Sequence, residues 1–241
     1  MTRVAVVTVL AGLVVASISA QTQAPPSADQ ILEKHIDAVG GRAALERVST
    51  MTARGTLSVP DAGLTGSIEL YGKAPDKVAS FVDFGGMQQA EAYDGTTAWS
   101  DDPQNGVLVK AGAELVDARN GAVFNKELQM KAIYPTMTVS GPEAVGQRQA
   151  WVVTATPAAG TPVKLFYDAE TGLLIRQMLT RQTPMGPLEV DLRLEDYRTV
   201  DGVRRPHTIR QLTSMFSAVI QLSEIRHNVE IDDAVFKKPG L

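Results

Sequence analysis

The chain has 241 residues, 23 Lys and Arg against 27 Asp and Glu, a net charge of −4 and no cysteine. That balance, with basic residues scattered and runs no longer than Arg204-Arg205 and Lys237-Lys238, excludes the dense positive field that nucleic-acid binding needs. Absence of cysteine excludes a disulfide framework and lipidation through a thiol, so the core must carry stability, and the chain is long enough for one large domain.

Residues 1–20, MTRVAVVTVLAGLVVASISA, carry one early cation, a short apolar run and small residues before a polar QTQAPPSADQ. This is the pattern of a cleaved secretory signal peptide, and it predicts an exported, periplasmic protein. Residues 21–27 read as a flexible leader and 28–241 as a single domain. Ser27 offers a helix cap before ADQILEKHIDAV, where Ile31, Leu32, His35, Ile36 and Val39 recur at helical spacing. Gly40-Gly41 can end that helix, and GRAALERV starts a second.

From Thr50 the period becomes two. Met51, Ala53, Gly55, Leu57 and Val59 alternate with polar residues, the segment 60–63 turns the chain, and Leu64, Gly66, Ile68 and Leu70 repeat the alternation. Strands follow over 76–84 and 87–93, joined at Gly85-Gly86, and Asp94-Gly95 turns into TTAWS. The stretch AGAELVDARNGAVFNKELQMKAIYP reads as one helix, bent at Gly121. Strand patterns then resume at 137–145, 149–156, 163–167, 173–180, 188–197, 203–212 and 216–227, and Phe236 in the tail is expected to pack back on the body. Ten or more antiparallel strands with helices at the front and middle give an α+β fold. A sheet that large curls toward an incomplete barrel, with helices over its concave face.

Catalytic signatures are missing: no Gly-x-Ser-x-Gly elbow, zinc-binding His-Glu-x-x-His, phosphate loop or Gly-x-Gly-x-x-Gly occurs. His35 reads as a packed or capping residue, and His207 as a surface or partner-contacting one. His207 and His227 without a carboxylate or thiol make a poor metal site. DDPQNG, residues 101–106, lacks side-chain oxygens at two of the positions a calcium loop requires and reads as a hairpin tip. Asp168 and Glu170 sit in DAETG, where the Asp accepts backbone hydrogen bonds and Gly172 takes positive φ. Trp99 and Trp151 are core residues or ligand platforms. With no converging chemistry, the prediction is a non-enzymatic monomer without cofactor or metal.

An apolar interior with no polar motif suits acyl chains. A chain of about sixteen carbons offers on the order of 12 kcal/mol before association costs. Alternation nominates Leu57, Val59, Ile68, Leu70, Trp151, Val153, Leu165, Val190, Leu192 and Leu194 as facing the cavity or its core.

The ordered segments ILEKHIDAVGGRAALERV, TMTARGTLSV, AYDGTTAW, KLFYDAETGLLIRQ, DYRTVDGVRRPHTI and VFKKP resemble the LolA/LolB-like superfamily of periplasmic lipoprotein carriers and their relatives. The resemblance implies an incomplete antiparallel barrel capped by helices, an apolar cavity for lipid or the acyl chains of lipoproteins, and no enzymatic activity. It also implies an Arg that holds the empty cavity closed. Arg54 stands on the early strand, but alternation points it away from the apolar face. The alternative is an envelope sensor or interaction module whose cavity is filled by its own side chains. Arg204-Arg205 and the DDPQNG tip would then contact a protein partner.

Overall fold

A computed structural model describes residues 25–240; the signal peptide and most of the leader expected from the sequence lie outside the described residues. Helix α1 (Ala28–Ala38) begins at a reciprocal cap, in which Gln30 N–H donates to Ser27 Oγ and Ser27 N–H to Gln30 Oε1. It ends at Gly40 and Gly41, both at positive φ, and the short α2 (Arg42–Glu46) follows.

Strands β1 (Thr50–Val59), β2 (Leu64–Lys73), β3 (Lys77–Asp83), β4 (Gln88–Tyr93), β5 (Ala98–Asp102) and β6 (Gly106–Val109) form a meander. Helices α3 (Gly112–Ala122) and α4 (Lys126–Ile133) interrupt it. A second meander comprises β7 (Thr136–Val145), β8 (Arg148–Thr156), β9 (Val163–Asp168), β10 (Leu174–Thr183), β11 (Gly186–Val200), β12 (Val203–Leu212) and β13 (Ser217–His227). β13 pairs with β1, so the two meanders join into one antiparallel thirteen-stranded sheet of order 6-5-4-3-2-1-13-12-11-10-9-8-7. Its edges β6 and β7 do not meet, so the sheet is curled and open, an α+β incomplete barrel.

The single long helix predicted for 111–135 is two helices, and the break is not at Gly121. It lies at residues 123–125, where Asn125 adopts φ 46° and donates through Nδ2 to the carbonyls of Leu45 (2.8 Å) and Val48 (2.9 Å). Phe124 packs over Gly72, where a Cβ would come within 3.2 Å of its ring. Long-range packing at Phe124 and Asn125 decides the break, outweighing the small propensity penalty of glycine.

The turns alternate between the two ends of the sheet. At one end α1 and α2 close the barrel. Arg204 N–H donates to Val39 O (2.8 Å), Lys34 Nζ to Ala169 O (2.7 Å), and His35 Nδ1 lies 3.0 Å from Gly172 O. α3 lies along the side, with its Asp117 accepting from Gln182 N–H on β10 and Asn120 donating to Ala159 O. The other end carries the hairpin tips around Met87, Met185 and Met215, all exposed.

The outer face of β2 to β5 is covered by the tail. Phe236 is fully buried with Trp99, Ala79, Ala92 and Ile231, and Trp99 Nε1 donates to Phe236 O at 2.9 Å. Lys73 and Lys77 each place Nζ 2.7 Å from the Asp233 carboxylate. These hydrogen bonds, with the ammonium charges behind them, hold the Asp233 pKa at about 2.

Candidate functional site: the helix-bearing face and its cleft

Strand register places all ten residues nominated by alternation on the face that carries the helices. Leu57 stands opposite Ile220, Ile220 opposite Ile209 and Ile209 opposite Leu194. Further along, Leu192 stands opposite Gln177, Gln177 opposite Leu165 and Leu165 opposite Val153, with Trp151 opposite Tyr167. Val59 pairs with Leu64, Ile68 with Gly55, Leu70 with Ala53 and Val190 with Leu179, which brings the remaining four onto the same surface.

The ten fall into two groups. Val153, Leu165 and Trp151 pack in a cluster with Ile31 and Leu32 of α1, Met130 of α4 and Tyr134 just after it. Ile68 and Val190 are buried as well. Leu57, Val59, Leu192 and Leu194, by contrast, are half-buried and join none of the core clusters, while Leu70 only borders the cluster of Ala53, Leu222 and Ile225. Helices thus fill the end of the barrel nearest α1. Among the described residues, no helix lies over an apolar strip across β1, β13, β12 and β11.

Beside this strip lies a cleft of about 340 Å³, bounded by β3 and β4 on one side, β9 and β10 on the other, and α3 and α4 between. That strands so distant in the sheet order line one space shows that this face is concave. Val78, Tyr93, Tyr134, Val163 and Leu179 give it apolar wall, and Ser80, Gln177 and Arg181 add polar groups. None of the ten nominated residues lines it. The strands still connect the two surfaces, because Leu179 pairs with Val190, Gln177 with Leu192 and Ser80 with Leu70. Sequence reasoning missed the cleft because it sought apolar positions. The available signal was the opposite one, a polar residue at an inward position of an alternating strand.

Across the cleft, Glu91 of β4 accepts from Lys110 Nζ at 3.1 Å, and Arg181 of β10 lies 3.8 Å away. Both Glu91 and Arg181 are about half exposed. Arg54, in contrast, pairs with Glu224 at 2.9 Å on the outer surface. A second groove, lined by Pro26, Gln30, Lys34, Trp151 and Tyr167, opens where α1 crosses the sheet.

The charged centre of the molecule is Glu127 of α4 with Arg205 of β12, 2.8 Å apart and mostly buried. Burial is the largest influence and pushes the Glu127 carboxyl up, but the Arg205 guanidinium, a backbone hydrogen bond and His35 together outweigh it, so the carboxyl stays below its ordinary value. Burial pulls the His35 pKa down, and the same cause raises Tyr167 and Tyr197. Arg205 is therefore a structural ion-pair member and not the exposed partner contact expected from the sequence. His207 is also corrected: it is buried, 3.0 Å from Arg205 O, because β12 turns it inward. His227 is buried too, with neither ring nitrogen hydrogen-bonded among the described residues and Asp201 at 3.5 Å. Asp168 caps its own turn, accepting from Thr171 N–H (2.6 Å) and Oγ1 (2.8 Å). Among the described residues no three His, Cys, Asp or Glu side chains gather as metal ligands.

No family model and no curated protein matches the sequence. Solved structures do. A LolA superfamily protein from Nitrosomonas europaea superposes with a TM-score of 0.56 at 16% identity, over 89% of this chain and 99% of that one. A domain of the outer membrane lipoprotein-sorting type from Vibrio parahaemolyticus gives 0.59 at 15%, over 87% and 97%. A DUF1329 family protein from Desulfovibrio piger gives 0.56 at 16%, over 87% and 96%. At these identities it is the arrangement of strands and helices that is shared, and on that ground the chain has a LolA-like fold.

Proposed function

We propose that this protein is a non-enzymatic periplasmic carrier or binding protein that holds a lipid, or the acyl chain of a lipidated protein, on its concave face. The observation that carries the reading is the apolar strip of Leu57, Leu192, Leu194, Ile209 and Ile220, half-buried in a curved sheet and, among the described residues, without a helix over it. Apolar side chains in a concavity favour a flexible apolar ligand. Each buried methylene contributes about 0.8 kcal/mol, so a dozen of them outweigh the lower range of association costs. The exposed Met87, Met185 and Met215 at the open end fit the same use, since methionine adapts to irregular apolar partners. The fold shared with proteins of the LolA and lipoprotein-sorting groups supports the reading.

The test is titration with the neutral apolar fluorophore N-phenyl-1-naphthylamine. Wild type is expected to enhance its fluorescence saturably, and folded Leu192→Arg and Leu70→Arg variants to bind it at least tenfold more weakly. Unchanged affinity in both variants contradicts the placement of ligand on this strip.

A further inference from the structure

Lys126 opens α4 and lines the cleft between the helices and the sheet. Among the described residues its ammonium makes no hydrogen bond and has no carboxylate within 4.0 Å. The other cations of the cleft are committed to Glu91, as Lys110 and Arg181 are. Three carboxylates also line the cleft, Glu91, Glu114 and Asp117, of which Asp117 accepts from Gln182 N–H at 2.8 Å, while Glu127, next to Lys126 in the chain, is taken by Arg205 at 2.8 Å. Lys126 is half-buried in the cleft, and an ammonium without a carboxylate partner is free to form charge-assisted hydrogen bonds with an anionic head group. Burial pulls the Lys126 pKa down, with the neighbouring Glu127 charge opposing that pull.

We infer that Lys126 is the head-group anchor of the site, and that the ligand is a single-chain amphiphile with a carboxylate head, a fatty acid. The carboxylate would meet Lys126 in the cleft while the chain runs along Leu179 and across Val190 and Leu192 onto the uncovered strip, a path that pairing between β10 and β11 makes continuous. The cleft of about 340 Å³ accommodates a head group and the first part of a chain, being at the small end of ligand pockets, about 300–1,000 Å³. Tyr134 also lines the same cleft. This assignment rests on the proposed lipid-binding role of the concave face and adds the chemical class of the ligand.

The experiment is displacement of bound N-phenyl-1-naphthylamine by palmitic acid and by methyl palmitate, which share the chain and differ in the charge of the head, on wild type, Lys126→Met and Lys126→Arg. Wild type is expected to release the dye at an acid concentration at least tenfold below that of the ester. Lys126→Met should remove that difference by weakening the acid alone, and Lys126→Arg should retain most of it. The comparison of acid with ester on wild type needs no variant, and a thermal melt shows whether Lys126→Met is folded. Dye binding with equal displacement by acid and ester, or an acid preference that survives in Lys126→Met, overturns the anchor and leaves the apolar-strip reading standing. Failure of wild type to bind dye, acid or ester overturns both.

Discussion

Glu127 on α4 and Arg205 on β12 form a mostly buried ion pair, 2.8 Å long, that ties the helices to the middle of the second meander. Asn125, two residues before Glu127, accepts from Arg205 Nη2 at 3.4 Å and holds α2 through the Leu45 and Val48 carbonyls. Helix, sheet and entry segment are thus fixed by one polar network. Arg205 Nε has no hydrogen-bond partner among the described residues, so the pair is not fully satisfied.

Removing one member leaves an uncompensated charge in a poorly solvated place. Glu127→Gln is expected to cost on the order of 3 kcal/mol, measured by urea denaturation, with Arg205→Met similar. The double variant Glu127→Met/Arg205→Met should recover much of the loss. Additive losses in the double variant would contradict coupling between the two residues.

Gly40 joins α1 to the turn between β11 and β12. Its φ is +123°, and a Cβ there would stand 2.1 Å from Gly202 O, a backbone atom that cannot move aside. Gly40→Ala is expected to cost about 2–4 kcal/mol through combined backbone strain and overlap. Gly63→Ala, at φ +64° with open space around it, should cost about 1 kcal/mol. Equal thermal midpoints for the two variants would contradict this account of how α1 seats.

Asp233 anchors the tail to the outer face. Its pKa of about 2 lies below the ordinary 3.8 because Lys73 and Lys77 favour the ionised form. The contribution to stability is therefore complete above about pH 4 and disappears as pH falls through about 2. The difference in thermal midpoint between wild type and Asp233→Asn is expected to be constant from pH 7 to about 4.5 and to shrink below it. A difference that grows on acidification would contradict the assignment.

Arg181 and Glu91 face each other across the cleft at 3.8 Å with both side chains about half exposed. Such a pair contributes little to stability, so Arg181→Ala should change the unfolding free energy by less than about 0.5 kcal/mol. Its position at the cleft instead predicts a faster association of apolar dye, read by stopped-flow fluorescence. Unchanged association would show that the pair does not obstruct entry.

Much of this architecture was written in the chain. Period-two alternation from Met51 to Leu70 gave the inward face correctly, since a strand register cannot slip by one residue without turning every side chain over. Turn chemistry at Asp94-Gly95 and in DAETG was equally local and equally readable. The break between α3 and α4 was not, because Phe124 and Asn125 are placed by Gly72, Leu45 and Val48, partners tens of residues away. Burial of His207 and Arg205 was hidden for the same reason. A basic run beside a proline looks like surface until Glu127 arrives from another element. The cleft was invisible to a search for apolar positions, because its distinguishing residues, among them Lys126, Gln177 and Arg181, are polar ones turned inward.

Native mass spectrometry of the protein, produced in a bacterial periplasm, purified without detergent and followed by organic extraction, tests the central claim most directly. The account predicts a stoichiometric acyl-containing adduct, recovered in the extract as a carboxylate-headed chain. A bare polypeptide mass that also rejects added fatty acid would contradict it.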